Sequence, residues 1–342
     1  MALRFIDSCA HYSDVLSKWT LASAMAVVSS PAAWAGQTVM QGGVSVFSAW
    51  IWARKHLDAQ GTWTLGVRFR VNAPGVEFPL LGLADGSTEQ VALVLNAANT
   101  LQVQRGSTVL ATGTTAILAN AWNYVELKCT IGPAAGAFAV HLNGVSEVSA
   151  SGVNASASGS SVADGVEMGS ASTSGSVQAG NYIYFADFYA CDGTGTVNND
   201  FLGDVRVQPL MPSADGDLSQ LTPSSGATHY NLVDEVPPDG DASYVSSATA
   251  GNVDLYQLAD LAAVSGNVYG VQVMAFARKD DAGTRTLAPV IKTGGVEYDG
   301  TTVGLGMTYA YLRDLWERNP QTAVPWTIAD VNALQAGVKV VA

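Results

Sequence analysis

The feature that most constrains this chain is the side-chain alternation in residues 122–148, WNYVELKCTIGPAAGAFAVHLNGVSEV. Val125, Leu127, Cys129 and Ile131 fall on one side of an extended chain, and Tyr124, Glu126, Lys128 and Thr130 on the other. A period of two with one apolar side marks a strand buried on one face. Phe138, Val140 and Leu142 repeat the pattern. Asn143-Gly144 then supplies two residues that tolerate positive φ, which a two-residue hairpin turn demands. The stretch predicts two or three antiparallel strands of a β-sandwich.

Most of the chain repeats this grammar. In WTLGVRFRV, Trp63, Leu65, Val67, Phe69 and Val71 share a face, with Thr64, Arg68 and Arg70 opposite. Pro74-Gly75 and Asp85-Gly86 turn the chain between short strands at 78–84, 90–95 and 100–104, a cadence that suits an all-β sandwich or barrel. The 35 glycines and a charged fraction of only 13% fit short strands joined by small-residue turns. Residues 149–180, rich in Ser, Ala and Gly, are expected to be ordered loops around a short strand at 165–169, with a long strand following in NYIYFADFYAC.

A length of 342 residues allows two cores. The seam is expected near 192–195, giving domains 1–195 and 196–342 with 198–209 as the bridge. Beyond it, strands are predicted at 243–247, 253–258, 268–278, 286–292, 296–298 and 308–316, with Gly294-Gly295 as a hairpin turn. Thr327 and Asp330 form a capping box for one short helix over 328–335, closed by Gly337 and followed by a strand at 338–341. The expected fold class is all-β: a jelly-roll sandwich, then a smaller β-sandwich with one short helix near the C-terminus. No repeat of 20–50 residues argues for a solenoid.

Composition removes several functions. The net charge is −13 and the basic residues do not cluster, which disfavours a nucleic-acid partner. Cys9, Cys129 and Cys191 make an odd set without a CxxC spacing, which fits reduced, buried thiols. Residues 19–35 imitate a secretion signal through Ala33-Trp34-Ala35, but Asp7 and Asp14 stand where a basic leader belongs. The run is too short and interrupted to span a bilayer, so an early buried strand pair and no membrane insertion are expected.

Catalytic patterns are sparse. The paired-acid strand motif E-x-D-x-E of sandwich glycanases is absent, because Glu126 alternates with Lys128 and Glu147 stands alone. His11, His56, His141 and His229 are scattered, no G-x-S-x-G is present, and Gly193-Thr194-Gly195 lacks a dinucleotide loop's third glycine. His141, inside a strand, reads as structural. No catalytic or cofactor-binding residue is expected, and no enzyme. Asp215, Asp217, Asp239 and Asp241, with Asp234 and Glu235, are oxygen ligands in turns that could take Ca²⁺, against the alternative of solvated turns. Trp63 and Trp122 read as core, whereas Trp34, Trp50 and Trp52 are unsettled. Tyr311, Trp316 and Trp326 frame the NPQTAVPW loop and are contact candidates, against Trp326 as a plug for the helix.

Through WTLGVRFRV, the WNYVE strand with its Asn143-Gly144 turn, and NYIYFADFYACD, the first domain resembles the concanavalin A-like, laminin G-type jelly roll. That resemblance puts Asp187 and Asp192 at places where family members often carry acids. Four further stretches resemble a narrower group of tailed-phage virion proteins: RFIDSCAHYSDVLSKWT, DFLGDVRVQPLMPSADGD, HYNLVDEVPPDGDASYV and NPQTAVPWTIADVNALQAGVKV. Ser8-Cys9-Ala10 departs from the glycine and aromatic of that group. The resemblance implies a non-enzymatic structural component of a virion assembled in the host cytoplasm, an oligomer in contact with other virion proteins. A tail or baseplate appendage is favoured over a head decoration. The alternative is a lectin-like module that binds host surface glycan.

Overall fold

The computed structural model describes residues 2–29, 34–43, 50–171, 177–262 and 265–342. The chain divides into two compact units, Met1–Val207 and Gln208–Ala342. Residues 198–207 of the stretch 198–209 expected as a bridge therefore fall within the first unit.

The strands of the first unit are β1 (Leu3–Asp7), β2 (Leu21–Ser23), β3 (Met25–Val28), β4 (Val39–Gly42), β5 (Trp52–Gln60), β6 (Thr62–Val71), β7 (Phe78–Asp85) and β8 (Thr88–Leu95). They continue as β9 (Leu101–Arg105), β10 (Thr108–Thr112), β11 (Asn123–Thr130), β12 (Gly136–Leu142), β13 (Val145–Val153), β14 (Ala163–Gly169) and β15 (Ile183–Asp192). One sheet runs β13-β12-β11-β6-β15-β4-β3, with β1 also on β15; the second runs β10-β9-β8-β7-β14-β5-β2. Together they make an antiparallel jelly-roll sandwich.

The alternation read from the sequence sets the inner face. Trp63, Leu65, Val67, Phe69, Val71, Val125, Leu127 and Cys129 are all buried. Asn143 and Gly144 take φ of 51° and 79°, and the Asn143 side chain accepts the Tyr124 N–H at 2.8 Å, locking the hairpin onto β11. Cys9, Cys129 and Cys191 are buried thiols outside any disulfide, and burial pushes the Cys129 thiol up to about 12.

One interruption shapes the outer surface. Between Ala186 and Tyr189 the register of β15 against β6 slips, and Asp187 takes φ 52°. Such a bulge places two residues opposite one, and Asp is among the few side chains that tolerate this conformation. Phe188 stays buried, edge-on to Phe5 and Trp19, while the Asp187 carboxylate meets Arg68 and Trp34. Without the slip, strict alternation would turn Asp187 and Tyr189 to the same side as Ile183 and Phe185.

The early segment differs from the expected buried pair. β2 pairs with β5 and β3 with β4, so the two join different sheets and are half-exposed; Trp19 supplies the burial instead. Ala33 of the A-x-A pattern, like most of the apolar run from Val44 to Ala53, lies outside the described residues. Among the described residues no helix is long and apolar enough to cross a membrane.

The second unit is also all-β. Its strands are β16 (Pro212–Ser219), β17 (Thr222–Pro223), β18 (Val245–Ser246), β19 (Val253–Leu258), β20 (Val271–Ala277), β21 (Thr286–Thr293), β22 (Val296–Asp299), β23 (Val303–Gly304), β24 (Ala310–Trp316) and β25 (Gln335–Val340). A sheet of order β16-β19-β25-β21-β22, with β23 on β21, accompanies the pairs β17-β18 and β20-β24. The helix α1 (Ile328–Asn332) starts at the expected Thr327–Asp330 capping box but is shorter than expected. Gly337 does not close it. That glycine sits in β25 between β19 and β21, where a Cβ would strike the Asp254 carbonyl.

A polar row on the outer face of the first sheet

The side chains turned away from the core on β12, β11, β6 and β15 form a row across the first sheet. His141 is opposite Glu126, Glu126 opposite Gly66, and Gly66 opposite Tyr189. In the next row Tyr124 is opposite Arg68 and Arg68 opposite Ala186. Gly66 is essential to this layout, because a Cβ there would run into the Tyr189 ring and the Tyr124 hydroxyl. The space lets Tyr189 lie across β6 and donate its hydroxyl to Glu126 Oε1.

Glu126 is only 1% exposed. Its Oε2 has no hydrogen-bond partner, and the nearest cation-forming group is His141 Nδ1 at 3.9 Å. A buried polar atom left unsatisfied costs about 1–3 kcal/mol. Burial and the nearby carboxylates hold the Tyr124 and Tyr189 hydroxyls well above the usual phenol range, so both stay protonated and able to donate.

Arg68 anchors the neighbouring row. Its Nε donates to Asp187 Oδ2 at 3.0 Å, and its guanidinium lies 4.1 Å from the Trp34 ring centroid and 5.1 Å from that of Tyr124. Trp34 Nε1 donates to the same Asp187 oxygen at 2.7 Å, and Tyr124 Oη donates to the Asp187 carbonyl at 3.1 Å. Burial raises the Asp187 carboxyl, opposed by its bonds to the Val207 N–H and Arg68. Trp34 also meets Trp122, with ring centroids 5.5 Å apart, beside half-buried Tyr182. These half-buried rings settle Trp34 and move Trp122 from the expected core to the outer face.

Residues 200–207 lie over this row as a strap. The Gly203 N–H donates to Glu126 Oε1 at 2.8 Å, the Leu202 N–H to Tyr189 Oη at 3.2 Å, and the Val207 N–H to Asp187 Oδ1 at 2.9 Å. Phe201 stacks on His141 with centroids 3.8 Å apart and planes at 23°. Asp204 pairs with Arg68, and Asp200 with Lys128 at 3.0 Å. The strap stays open to water: the Asp204 side chain is 49% exposed.

The second sheet carries a different cluster. Arg54, Glu167 and Glu89 are buried on its outer face. Arg54 Nε donates to Glu167 Oε1 at 2.5 Å and Arg54 Nη1 to the Gly86 carbonyl at 2.6 Å. Glu89 Oε2 accepts from Ser170 Oγ at 2.6 Å and from the Ala171 N–H at 2.9 Å, while Glu167 Oε2 takes the same N–H at 3.2 Å. Burial, and then the Glu89 charge, push the Glu167 carboxyl up to about 8. The Glu167 carboxyl therefore holds its proton at neutral pH while it accepts from Arg54. The N-terminal stretch forms a further buried plug: Asp7 Oδ2 accepts from Tyr12 Oη at 2.6 Å and Trp19 Nε1 at 2.7 Å, and Cys9 takes φ 61°, a conformation that suits glycine.

The acids expected to hold Ca²⁺ do not converge. Asp215 accepts the N–H groups of His229 and Tyr230, Asp217 pairs with Lys292 at 2.6 Å, Asp239 accepts from Ser243, and Asp241 takes Arg278 at 2.9 Å and Tyr309 at 2.8 Å. Among the described residues no group of three His, Cys, Asp or Glu side chains is placed to hold a metal ion. Of the contact candidates, Trp326 is buried in the second unit's core and donates Nε1 to the Trp316 carbonyl at 2.9 Å, Trp316 packs half-buried against the same core, and Tyr311 lies against Phe276.

No family model matches the chain, and no curated protein matches its sequence. Among solved structures, the alginate lyase Aly36B is 9% identical with a TM-score of 0.37, covering 54% of this chain and 92% of the lyase. A sialidase is 12% identical with a TM-score of 0.35, over 54% of this chain and 18% of the sialidase. An alginate lyase from Corynebacterium sp. is 15% identical with a TM-score of 0.32, over 45% and 75% of the two chains. The expectation of a non-enzymatic virion component is corrected here. The solved structures this chain resembles are carbohydrate-active enzymes, and no phage protein stands among the matches above.

Proposed function

We propose that the first unit is a glycan-active domain whose site is the outer face of its first sheet. The observation that carries this reading is the buried Glu126 carboxylate with one unpartnered oxygen facing His141, on a face that also holds protonated Tyr189 and the Arg68 guanidinium. Half-buried Trp34, Trp122 and Tyr182 beside it offer flat apolar surface of the kind on which sugar rings stack.

The residues favour elimination over hydrolysis. Hydrolysis needs two available carboxyl groups flanking the scissile bond. Here Asp187 is committed to Arg68, Trp34 and Val207, which leaves Glu126 as the available acid in the row. Cleavage next to a sugar carboxylate needs a base, an acid and a cation. His141, with Nδ1 3.9 Å from Glu126 Oε2, takes the proton from the carbon α to the carboxylate. The electron pair forms a carbon–carbon double bond, the adjacent carbon–oxygen glycosidic bond breaks, and the departing oxygen takes the Tyr189 proton. Arg68 lowers the barrier by pairing with the carboxylate as negative charge builds on it.

Alginate, the polymer named for several of the resembling enzymes, is the first substrate to test. Incubation should produce ultraviolet absorbance from new unsaturated sugar ends together with new reducing ends. Reducing ends without that absorbance would replace elimination by hydrolysis. Neither signal on alginate, polygalacturonate or sialylated glycans would remove the reading.

A further inference from the structure

Resting on the reading above, we propose that residues 200–207 are a built-in substrate mimic that closes the site until an acidic glycan displaces it. Each part of the strap occupies a place that a sugar acid would need. The Asp204 carboxylate sits on Arg68, the guanidinium suited to a uronate carboxylate. The Phe201 ring lies flat on His141, where a sugar ring must come for proton transfer. The Gly203 N–H donates to Glu126 Oε1, and the Leu202 N–H occupies the Tyr189 hydroxyl that must face the leaving oxygen.

The strap is also built to leave. It belongs to no strand, and it is fastened through side chains of the sheet: Glu126, Tyr189, Asp187, Arg68 and Lys128. Its ion pairs are partly exposed, and exposed pairs hold only weakly. Beneath it remains the unpartnered Glu126 Oε2, buried and aimed at His141, a group that the strap does not satisfy. A closed strap lowers apparent affinity by the fraction of molecules that are open, so loosening it should tighten binding of an acidic chain.

The test uses the full chain and three variants: Phe201→Ala, Asp204→Ala and the double variant, each checked for an unchanged near-ultraviolet spectrum. Alginate oligosaccharide binding is measured by calorimetry, with a neutral dextran oligosaccharide as control. The double variant should bind the alginate oligosaccharide at least about tenfold more tightly than the wild type. Hydrogen exchange at the Gly203 and Val207 amides of the wild type should quicken when the oligosaccharide saturates it. Equal affinity in wild type and double variant, or no binding by either, overturns the mimic. Cleavage at equal affinity would do so while leaving the elimination reading in place. Tighter binding with no unsaturated product in any variant supports the mimic and removes elimination.

Discussion

The two sheets of the first unit bury carboxylates on their outer faces in opposite ways. On the second sheet, Glu167 and Glu89 are enclosed by fixed donors: Arg54, Ser170 and the Ala171 N–H. On the first sheet, Glu126 has one oxygen held by Tyr189 and Gly203 and the other by nothing, beneath a strap half open to solvent. A completed network gives rigidity, whereas an incomplete one under a removable cover gives a group able to exchange protons. Buried charge alone does not separate structure from chemistry; the permanence of its partners does.

The largest expected effect falls on the completed side. Arg54→Ala leaves the Glu89–Glu167 pair without its cation, and breaking a buried pair in this way costs about 3–5 kcal/mol. Thermal unfolding should drop on the order of 10 °C. A drop of only a degree or two would mean that this cluster, too, is loosely held. Glu126→Gln makes the opposite case. The amide oxygen still accepts from Tyr189 and Gly203, so the melting temperature should move by less than ~2 °C. Glycan cleavage should fall roughly 100-fold. If Glu126→Gln destabilises as much as Arg54→Ala, the contrast between the sheets is lost.

A pH series sharpens the contrast further. The folded chain holds the Glu167 proton up to about 8, against an ordinary value of 4.5, so between those values it keeps a proton that the unfolded chain has released. Stability should therefore decline as pH rises from about 4.5 to about 8 and level off above. Glu167→Gln, which keeps the neutral partner, should flatten that decline and melt several degrees higher than wild type at alkaline pH. A parallel decline in the variant would assign it to another group. The smallest effect is expected in the second unit. Asp215, Asp217, Asp239 and Asp241 each have separate partners, so chelation with EDTA should leave its unfolding unmoved; a clear shift would show that these acids gather around an ion.

Much of the fold was legible because burial enforces periodicity. Trp63 to Val71 and Val125 to Cys129 carried the sandwich, Asn143-Gly144 its hairpin, and Thr327–Asp330 the start of the helix. Its end was not, because Gly337 reads alike as a helix stop and as a strand residue pressed against a neighbouring carbonyl. The site escaped for a related reason. The alternation puts Tyr124, Glu126 and Lys128 on the outward side, yet an outward strand residue reads as solvated, and nothing local to 122–148 reveals that residues 200–207 return to cover it. The register that sets His141 beside Glu126 follows from the hairpin, whereas the slip that turns Asp187 and Tyr189 outward leaves only a weak trace, an acid inside an apolar run. Asp187 was singled out only through the jelly-roll resemblance.

The most direct test compares His141→Ala with the wild type on alginate, following the absorbance of unsaturated ends beside the melting temperature of each protein. The side chain is 26% exposed, so its loss should leave folding intact while product formation falls at least about 100-fold. Product formation unchanged in His141→Ala, or absent from the wild type and from the strap variants alike, would contradict a catalytic outer face.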